Sequence, residues 1–384
     1  MPFVTRDGAR LYWRSDGDPA RSALLVGNSL GTDHALWDPV MPALTRHFRV
    51  LRFDMRGHGA SEAPAGDYTI EDLARDALAV ADAAGAARFS YAGISIGGMI
   101  GQWLGANAGD RIERLVLSNT SAKLAPDIWA ERIAKVRAGG TAAIADGVLQ
   151  RWFTARFLAR NDERLATART TLESADREGY IGCCAAIRDM DLRDLAPRIR
   201  VPTLVITGTH DLAAPKDHGE AIAAAIPGSQ RVELPCAHIA TIEMPGLYAH
   251  TLLAFLAKAP VTTERERYET GLARRKQALG ASYVEERLKR VTPFNAEFQD
   301  LITRLAWGEL WTRDVLDDRT RRMLVLAMTV ALGRWEEFEL HARAGLAAEL
   351  SEFDLKEVLL LASVYCGVPA ANTAFAKARE LLGR

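Results

Sequence analysis

The run Ser90-Tyr91-Ala92-Gly93-Ile94-Ser95-Ile96-Gly97-Gly98-Met99 passes from an apolar strand pattern through Gly-x-Ser-x-Gly straight into an apolar helix pattern. So abrupt a reversal needs a sharp turn, in which the serine takes a cramped backbone conformation and the flanking glycines leave room for neighbouring chain. The stretch therefore demands a buried strand before it and a close-packed helix behind it. It also projects the Ser95 hydroxyl alone into a cleft, where a nucleophile would stand.

The surrounding sequence supplies that setting. Strand patterns at Leu11 to Arg14, Ala23 to Val26, Phe48 to Phe53, Arg114 to Ser118, Thr203 to Thr207 and Val232 to Leu234 alternate with helical stretches such as Ile70 to Ala84. Alternation of this kind builds a mostly parallel sheet covered on both faces, with ligands bound beyond the carboxyl ends of its strands. Between Thr120 and Ala196 the alternation stops and the chain reads as helices rich in Trp, Arg and Ala, which predicts a cap over the active edge of the sheet. The strand pattern resumes at Val201 and closes with a helix from Leu247 to Lys258. Pro260 marks a break in composition, beyond which only amphipathic helical segments follow. The expected organisation is an α/β domain over 1–258, with a helical cap over about 120–196, followed by an all-α domain over 259–384.

A serine nucleophile needs a base, an acid that orients the base, and donors for the oxyanion. Asp211 follows the Thr203 to Thr207 strand in Gly208-Thr209-His210-Asp211, and His238 follows the last strand in Leu234-Pro235-Cys236-Ala237-His238. The order Ser, Asp, His is that of the α/β-hydrolase fold, and it makes the backbone N–H groups of Ile96 and Leu30 the expected oxyanion donors. Asp54 and His58 read as loop anchors. His210 is a decoy beside Asp211, and His34, His47, His218 and His250 read as solvated or structural.

The bulk composition narrows the partners. A net charge of −1 leaves no global field to attract nucleic acid or a membrane surface, so a charged ligand must be held by a local cluster. The amino terminus has no charged segment leading into an apolar one, and no run is long enough to span a bilayer. Cys183, Cys184, Cys236 and Cys366 form no C-x-x-C pair and no disulfide-like framework. The expectation is a cytoplasmic protein with reduced thiols, acting on small molecules without metal or cofactor.

Residues 1–258 resemble the α/β-hydrolase superfamily and, within it, the 3-oxoadipate enol-lactonases. The closer match rests on Gly27-Asn28-Ser29-Leu30-Gly31-Thr32, Phe53-Asp54-Met55-Arg56-Gly57-His58-Gly59, the Ser95 turn and the cap motifs Ile128-Trp129-Ala130-Glu131-Arg132-Ile133, Arg151-Trp152-Phe153 and Gly179 to Arg188. One departure is Gly27-Asn28-Ser29, where many relatives carry His-Gly. The resemblance implies hydrolysis of a cyclic enol ester that also bears a free carboxylate. Arg132, one turn from Trp129, is the expected cation for that carboxylate, with Lys135 and Arg188 in reserve. The nearest alternative is a carboxylesterase or cofactor-free perhydrolase, with the C-terminal helices as a non-catalytic oligomerisation module.

Residues 262–384 resemble the carboxymuconolactone decarboxylases through Ala306-Trp307-Gly308-Glu309-Leu310-Trp311-Thr312-Arg313, Arg319 to Arg322, Glu336 to Ala344 and Val364 to Asn372. The resemblance implies His341 as the proton-donating acid, paired with Glu309, with Arg313 and Arg322 gripping carboxylates. Without a C-x-x-C pair, the thiol peroxidase chemistry of related folds is not expected. A helix-ending glycine usual in the family is replaced by Ala347-Ala348-Glu349-Leu350-Ser351, which calls for another cap. Successive reactions on one chain, and a homo-oligomer assembled through the C-terminal helices, complete the expectation.

Overall fold

The computed structural model describes residues 3–160, 162–257, 263–313 and 316–383. The chain divides into two compact units, Met1–Lys258 and Ala259–Arg384. Pro260 and the expected junction itself lie outside the described residues.

The first unit is built on eight strands: β1 (Phe3–Arg6), β2 (Ala9–Asp16), β3 (Ala23–Gly27), β4 (Arg49–Phe53), β5 (Phe89–Ile94), β6 (Ile112–Ser118), β7 (Thr203–Gly208) and β8 (Gln230–Leu234). Their order in the sheet is β1-β2-β4-β3-β5-β6-β7-β8. The two pairings that involve β2 are antiparallel and the rest parallel. Every residue of β3, β5 and β7 is buried, because helices cover both faces of the parallel part. β1 is absent from the strand patterns read in the sequence. It pairs with β2 through Asp7-Gly8, both at positive φ (44° and 73°), the hairpin turn an Asp-Gly dipeptide favours.

The helix Ile70–Ala83 opens with a capping box between Thr69 and Asp72. The expected cap lies between β6 and β7 as the helices Pro126–Gly139, Ala145–Trp152, Glu163–Ser174 and Arg177–Asp189, with shorter turns among them. Cys183 and Cys184 are fully buried in the last of these, and burial pushes the Cys184 thiol up to about 12, so both serve as packing.

In the second unit the described residues form helices only: Glu264–Leu279, Ala281–Lys289, Ala296–Ile302, Asp318–Ala331, Trp335–Leu346, Glu352–Tyr365 and Val368–Leu381, with a π-helical stretch at Thr303–Leu310. The helix starting at Glu352 begins earlier than the sequence suggests, because Ser351 and Asp354 close a capping box. The π turn was not expected. It shows in the bond from the Trp311 N–H to the Ala306 carbonyl, five residues back. Gly308 and Gly271 let this segment lie against the helix Glu264–Leu279; a Cβ on Gly308 would stand 2.5 Å from the Arg267 carbonyl oxygen. One core gathers Leu326, Val330, Phe338, Ala342 and Leu359, and another Leu279, Val284, Trp307 and Trp311.

Candidate active sites

Ser95 sits between β5 and the helix Ile96–Asn107 with φ 58° and ψ −118°, a conformation that costs a non-glycine residue about 1–3 kcal/mol. Its surroundings fix it there. The Ser95 N–H donates to the Ser118 carbonyl (3.0 Å), the Ser95 carbonyl accepts from the Thr120 hydroxyl (2.7 Å), and the Gly97 N–H donates to the Asn28 carbonyl (3.1 Å). A Cβ on Gly97 would stand 2.5 Å from the Gly27 carbonyl oxygen, so glycine is required for the loop after β3 to come so close. From Phe89 to Gln102 every residue is buried except Ser95.

Ser95 and His238 line one cavity of about 700 Å³, together with Leu30. The His238 Nδ1 lies 2.8 Å from Asp211 Oδ2. Asp211 is in turn held by three donors: the Asn119 amide (2.9 Å) and the backbone N–H groups of Ala213 and Ala214 (2.8 and 2.9 Å). With its carboxylate so pinned, His238 must carry its proton on Nδ1 and leave Nε2 as the free acceptor. The Ile96 N–H opens a helix and has no carbonyl of that helix to bond, which leaves it for an oxyanion.

His58 is buried, its Nε2 accepting from the Gly31 N–H (3.0 Å) and its Nδ1 donating to the Arg56 carbonyl (2.9 Å). Burial lowers its pKa, so it stays neutral and ties the loop bearing Leu30 to the loop after β4. The departure at Asn28 also has a structural use: its side chain donates to the Phe53 carbonyl and accepts from the Trp37 indole.

Trp129 and Arg132 both line the cavity, with the guanidinium stacked 4.6 Å from the ring centroid. Lys123, Arg151 and Arg193 line it too, and among the described residues no Asp or Glu does. Lys123 and Arg193 are neutralised by Asp191, whereas Arg132 and Arg151 have no carboxylate partner among the described residues. The two reserve cations are occupied elsewhere: Lys135 pairs with Glu131, and Arg188 with Asp67 and Asp189. Neither lines this cavity.

Asn119 has a role that no sequence motif assigns, and His218 and Trp152 have roles beyond those read from the sequence. Asn119, at positive φ just past β6, orients Asp211; an Asn ending a strand was its only sequence signal. His218 lines the cavity, with its Nδ1 2.7 Å from the Ser121 hydroxyl, and so is not merely solvated. Trp152, in the cap, accepts from both the His238 and Ile239 N–H groups through its carbonyl (3.1 Å each), which ties the base to the cap.

In the second unit His341 is buried and stacked on Trp311 (5.9 Å between centroids), which is itself 4.6 Å from Trp307. Arg322 Nη1 lies 2.7 Å from His341 Nδ1. A guanidinium only donates, so Nδ1 is the acceptor and the ring proton sits on Nε2. Burial and the Arg322 charge lower the His341 pKa to about 4. The expected proton-donating acid is therefore a neutral imidazole near neutral pH, presenting Nε2–H to a cavity of about 340 Å³.

Arg322 does not face a ligand as expected. It is 1% exposed and spends its donors on Glu349 (2.7 Å), His341 and the Ala278 carbonyl (2.6 Å), while its plane stacks over Trp311. Glu349, from the turn that departs from the family pattern, is thus the counter-charge that holds it. Glu309 does not join His341 either. The π turn carries it to the helix Glu264–Leu279, where it pairs with Arg267 (2.9 Å), and Arg313 is exposed away from the cavity. The carboxylate facing His341 is Glu337, 4.0 Å from Nε2.

Among the described residues no group of three or more His, Cys, Asp or Glu is placed to hold a metal, and no helix is long and apolar enough to cross a membrane.

Comparison with known proteins agrees with this division. Residues 23–245 match the family described as alpha/beta hydrolase fold, and residues 296–380 the carboxymuconolactone decarboxylase family. The first unit is similar to 3-oxoadipate enol-lactonase 2 of Acinetobacter baylyi, 32% identical over 66% of this chain and 96% of that one. The second is similar to 4-carboxymuconolactone decarboxylase of the same organism, 39% identical over 31% of this chain and 88% of that one. Among solved structures, the enol-lactonase from Burkholderia xenovorans LB400 superposes with a TM-score of 0.66 at 45% identity, covering 67% of this chain and 100% of that one.

Proposed function

From a chain that belongs to the alpha/beta hydrolase family and to the carboxymuconolactone decarboxylase family, we propose a bifunctional enzyme of aromatic catabolism. The C-terminal unit removes CO2 from 4-carboxymuconolactone, and the N-terminal unit hydrolyses the resulting 3-oxoadipate enol-lactone to 3-oxoadipate. The observation that carries this reading is the charge around each reactive side chain. Arg132 and Arg151 line the Ser95 cavity without a carboxylate partner among the described residues, and three arginines line the His341 cavity, where Glu337 is the one acid among the described residues. Such cavities suit lactones that carry carboxylates and disfavour neutral esters.

In the hydrolysis, His238 Nε2 takes the Ser95 proton as Oγ attacks the lactone carbonyl. The oxyanion is received by the N–H groups of Ile96 and Leu30. The ring C–O bond breaks, the enol oxygen leaves, and His238 then activates the water that cleaves the acyl-enzyme. In the decarboxylation, the bond to the departing carboxylate breaks and its electron pair moves through the conjugated ring to the lactone oxygen. The neutral His341 Nε2–H donates to that oxygen, and Glu337 relays a solvent proton to the ring carbon. Purified protein given 4-carboxymuconolactone should release CO2 and accumulate 3-oxoadipate; release of neither overturns the assignment.

The enol-lactone keeps one carboxylate, which Arg132 and Arg151 bind. Arg132→Gln is expected to raise KM for hydrolysis about 10- to 100-fold with kcat little changed, measured by loss of enol-lactone absorbance. Unchanged KM in both Arg132→Gln and Arg151→Gln would remove them from the site.

The second unit assembles with copies of itself. Among the described residues, all the exposed large apolar side chains except Ile128, Leu212 and Leu247 belong to this unit, including Met328, Leu332, Leu361 and Tyr365. Soluble monomers rarely leave so much apolar surface uncovered. Sedimentation should show an oligomer that Leu332→Glu combined with Tyr365→Glu dissociates; a monomeric parent protein contradicts it.

A further inference from the structure

The cavity that His341 faces contains a buried guanidinium that pairs with no Asp or Glu among the described residues. Arg275, on the helix Glu264–Leu279, is 8% exposed and lines this cavity. Its Nη1 donates to two neutral acceptors, Gln299 Oε1 at 3.2 Å and Thr303 Oγ1 at 3.4 Å, and its buried Nε–H has no partner. No Asp or Glu pairs with it among the described residues. Burying a cation without a carboxylate costs several kcal/mol, which a fold does not sustain for packing alone. Arg322, also buried in this unit, has Glu349.

The same cavity carries Arg287 and Arg290 at its exposed rim. Arg287 donates to the Tyr283 hydroxyl (3.2 Å) and Arg290 to Glu286 (3.4 Å). Glu337 is the acid among its lining residues, and it faces His341. The cavity is thus lined both by guanidinium groups and by the His341 N–H donor.

We propose that Arg275, supported by Arg287, binds the carboxylate that the decarboxylase substrate retains, so that this site selects dicarboxylates and presents the other carboxylate for loss. This rests on the decarboxylase reading above. The choice of carboxylate follows from the chemistry. The departing group gives up its negative charge on becoming CO2, so a guanidinium gripping it would stabilise the ground state over the transition state and slow the reaction. A guanidinium on the retained carboxylate binds both states alike, anchoring the substrate while the lactone oxygen meets His341.

The test uses the full-length protein and two probes: the saturated lactone bearing both carboxylates, and the same compound with its side-chain carboxylate as a methyl ester. As inhibitors of CO2 release, the diacid is expected to bind the parent protein about 100-fold tighter than the ester. Arg275→Gln should raise KM for the substrate by a similar factor with kcat within a few fold, and should erase the preference for the diacid. Should Arg275→Gln not fold, Arg287→Gln at the exposed rim is expected to reduce that preference about fivefold. Equal inhibition by the two probes in the parent protein, or an unchanged preference in a folded Arg275→Gln, overturns the proposal. If the parent releases no CO2, the decarboxylase reading has failed; calorimetric titration of the two probes into parent and Arg275→Gln then decides the arginine site by the same criterion.

Discussion

Ser95→Ala is expected to lower kcat for enol-lactone hydrolysis by about four to six orders of magnitude while CO2 release from 4-carboxymuconolactone continues at the parent rate. Residual hydrolysis would come from the oxyanion donors and substrate binding alone. The substitution removes one oxygen from a position held by backbone bonds to Ser118, Thr120 and the loop at Asn28, so the turn should survive it. Its measurable signature is accumulation of the enol-lactone, followed by absorbance, with stoichiometric CO2. The strain at φ 58° gives an independent check: Ser95→Gly should be equally inactive yet about 1 kcal/mol more stable to denaturant, because glycine adopts that conformation without penalty. If Ser95→Ala also halts decarboxylation in folded protein, the two sites are not independent. If hydrolysis persists near the parent rate, Ser95 is not the nucleophile.

The parallel sheet, the turn at Ser95 and the pairing of His238 with Asp211 were legible because each rests on local chemistry: apolar runs, glycine spacing, and loops at strand ends. β1 was missed because four residues give little pattern, although Asp7-Gly8 carried the turn signal. The second unit was less legible for a different reason. Helical periodicity assigns each residue a face, and the π turn at Thr303–Leu310 shifts those faces, which sends Glu309 to Arg267 and away from His341. Burial also changed roles that residue type alone suggested. Arg322 is the kind of residue that grips a carboxylate, yet it is enclosed and holds a histidine tautomer; Arg275 carries no motif in sequence, yet it is a buried cation that pairs with no acid among the described residues. Charge balance inside a cavity depends on several helices at once and leaves no mark in any one of them.

The role of His341 separates two substitutions that would otherwise look alike. His341→Ala removes the Nε2–H donor and leaves the Arg322 Nη1 unpaired in a buried site, so a loss of about a thousandfold in decarboxylation and about 1–3 kcal/mol in stability is expected, with hydrolysis at Ser95 retained. His341→Gln offers a carbonyl oxygen to Arg322 and an N–H to the cavity, and should keep decarboxylation within about 30-fold of the parent. A site that needed imidazolium as its acid would lose as much with Gln as with Ala, and that result would reverse the assignment. The pH dependence points the same way. With its pKa lowered to about 4 from 6.5, His341 is neutral throughout the physiological range, so its titration should leave decarboxylation level from pH 6 to 8 and reduce it only as the ring takes up a proton near pH 4. Below pH 6.5 the unfolded chain binds that proton before the folded one does. The second unit should therefore lose stability as pH falls from 6.5 through 4, by about 3 kcal/mol in all, and His341→Gln should remove that part of its acid sensitivity. A rate limb that falls as pH rises through 6.5 in the parent and is absent in His341→Gln would instead mark a histidine that titrates at its ordinary value, and would return to it the role of imidazolium acid.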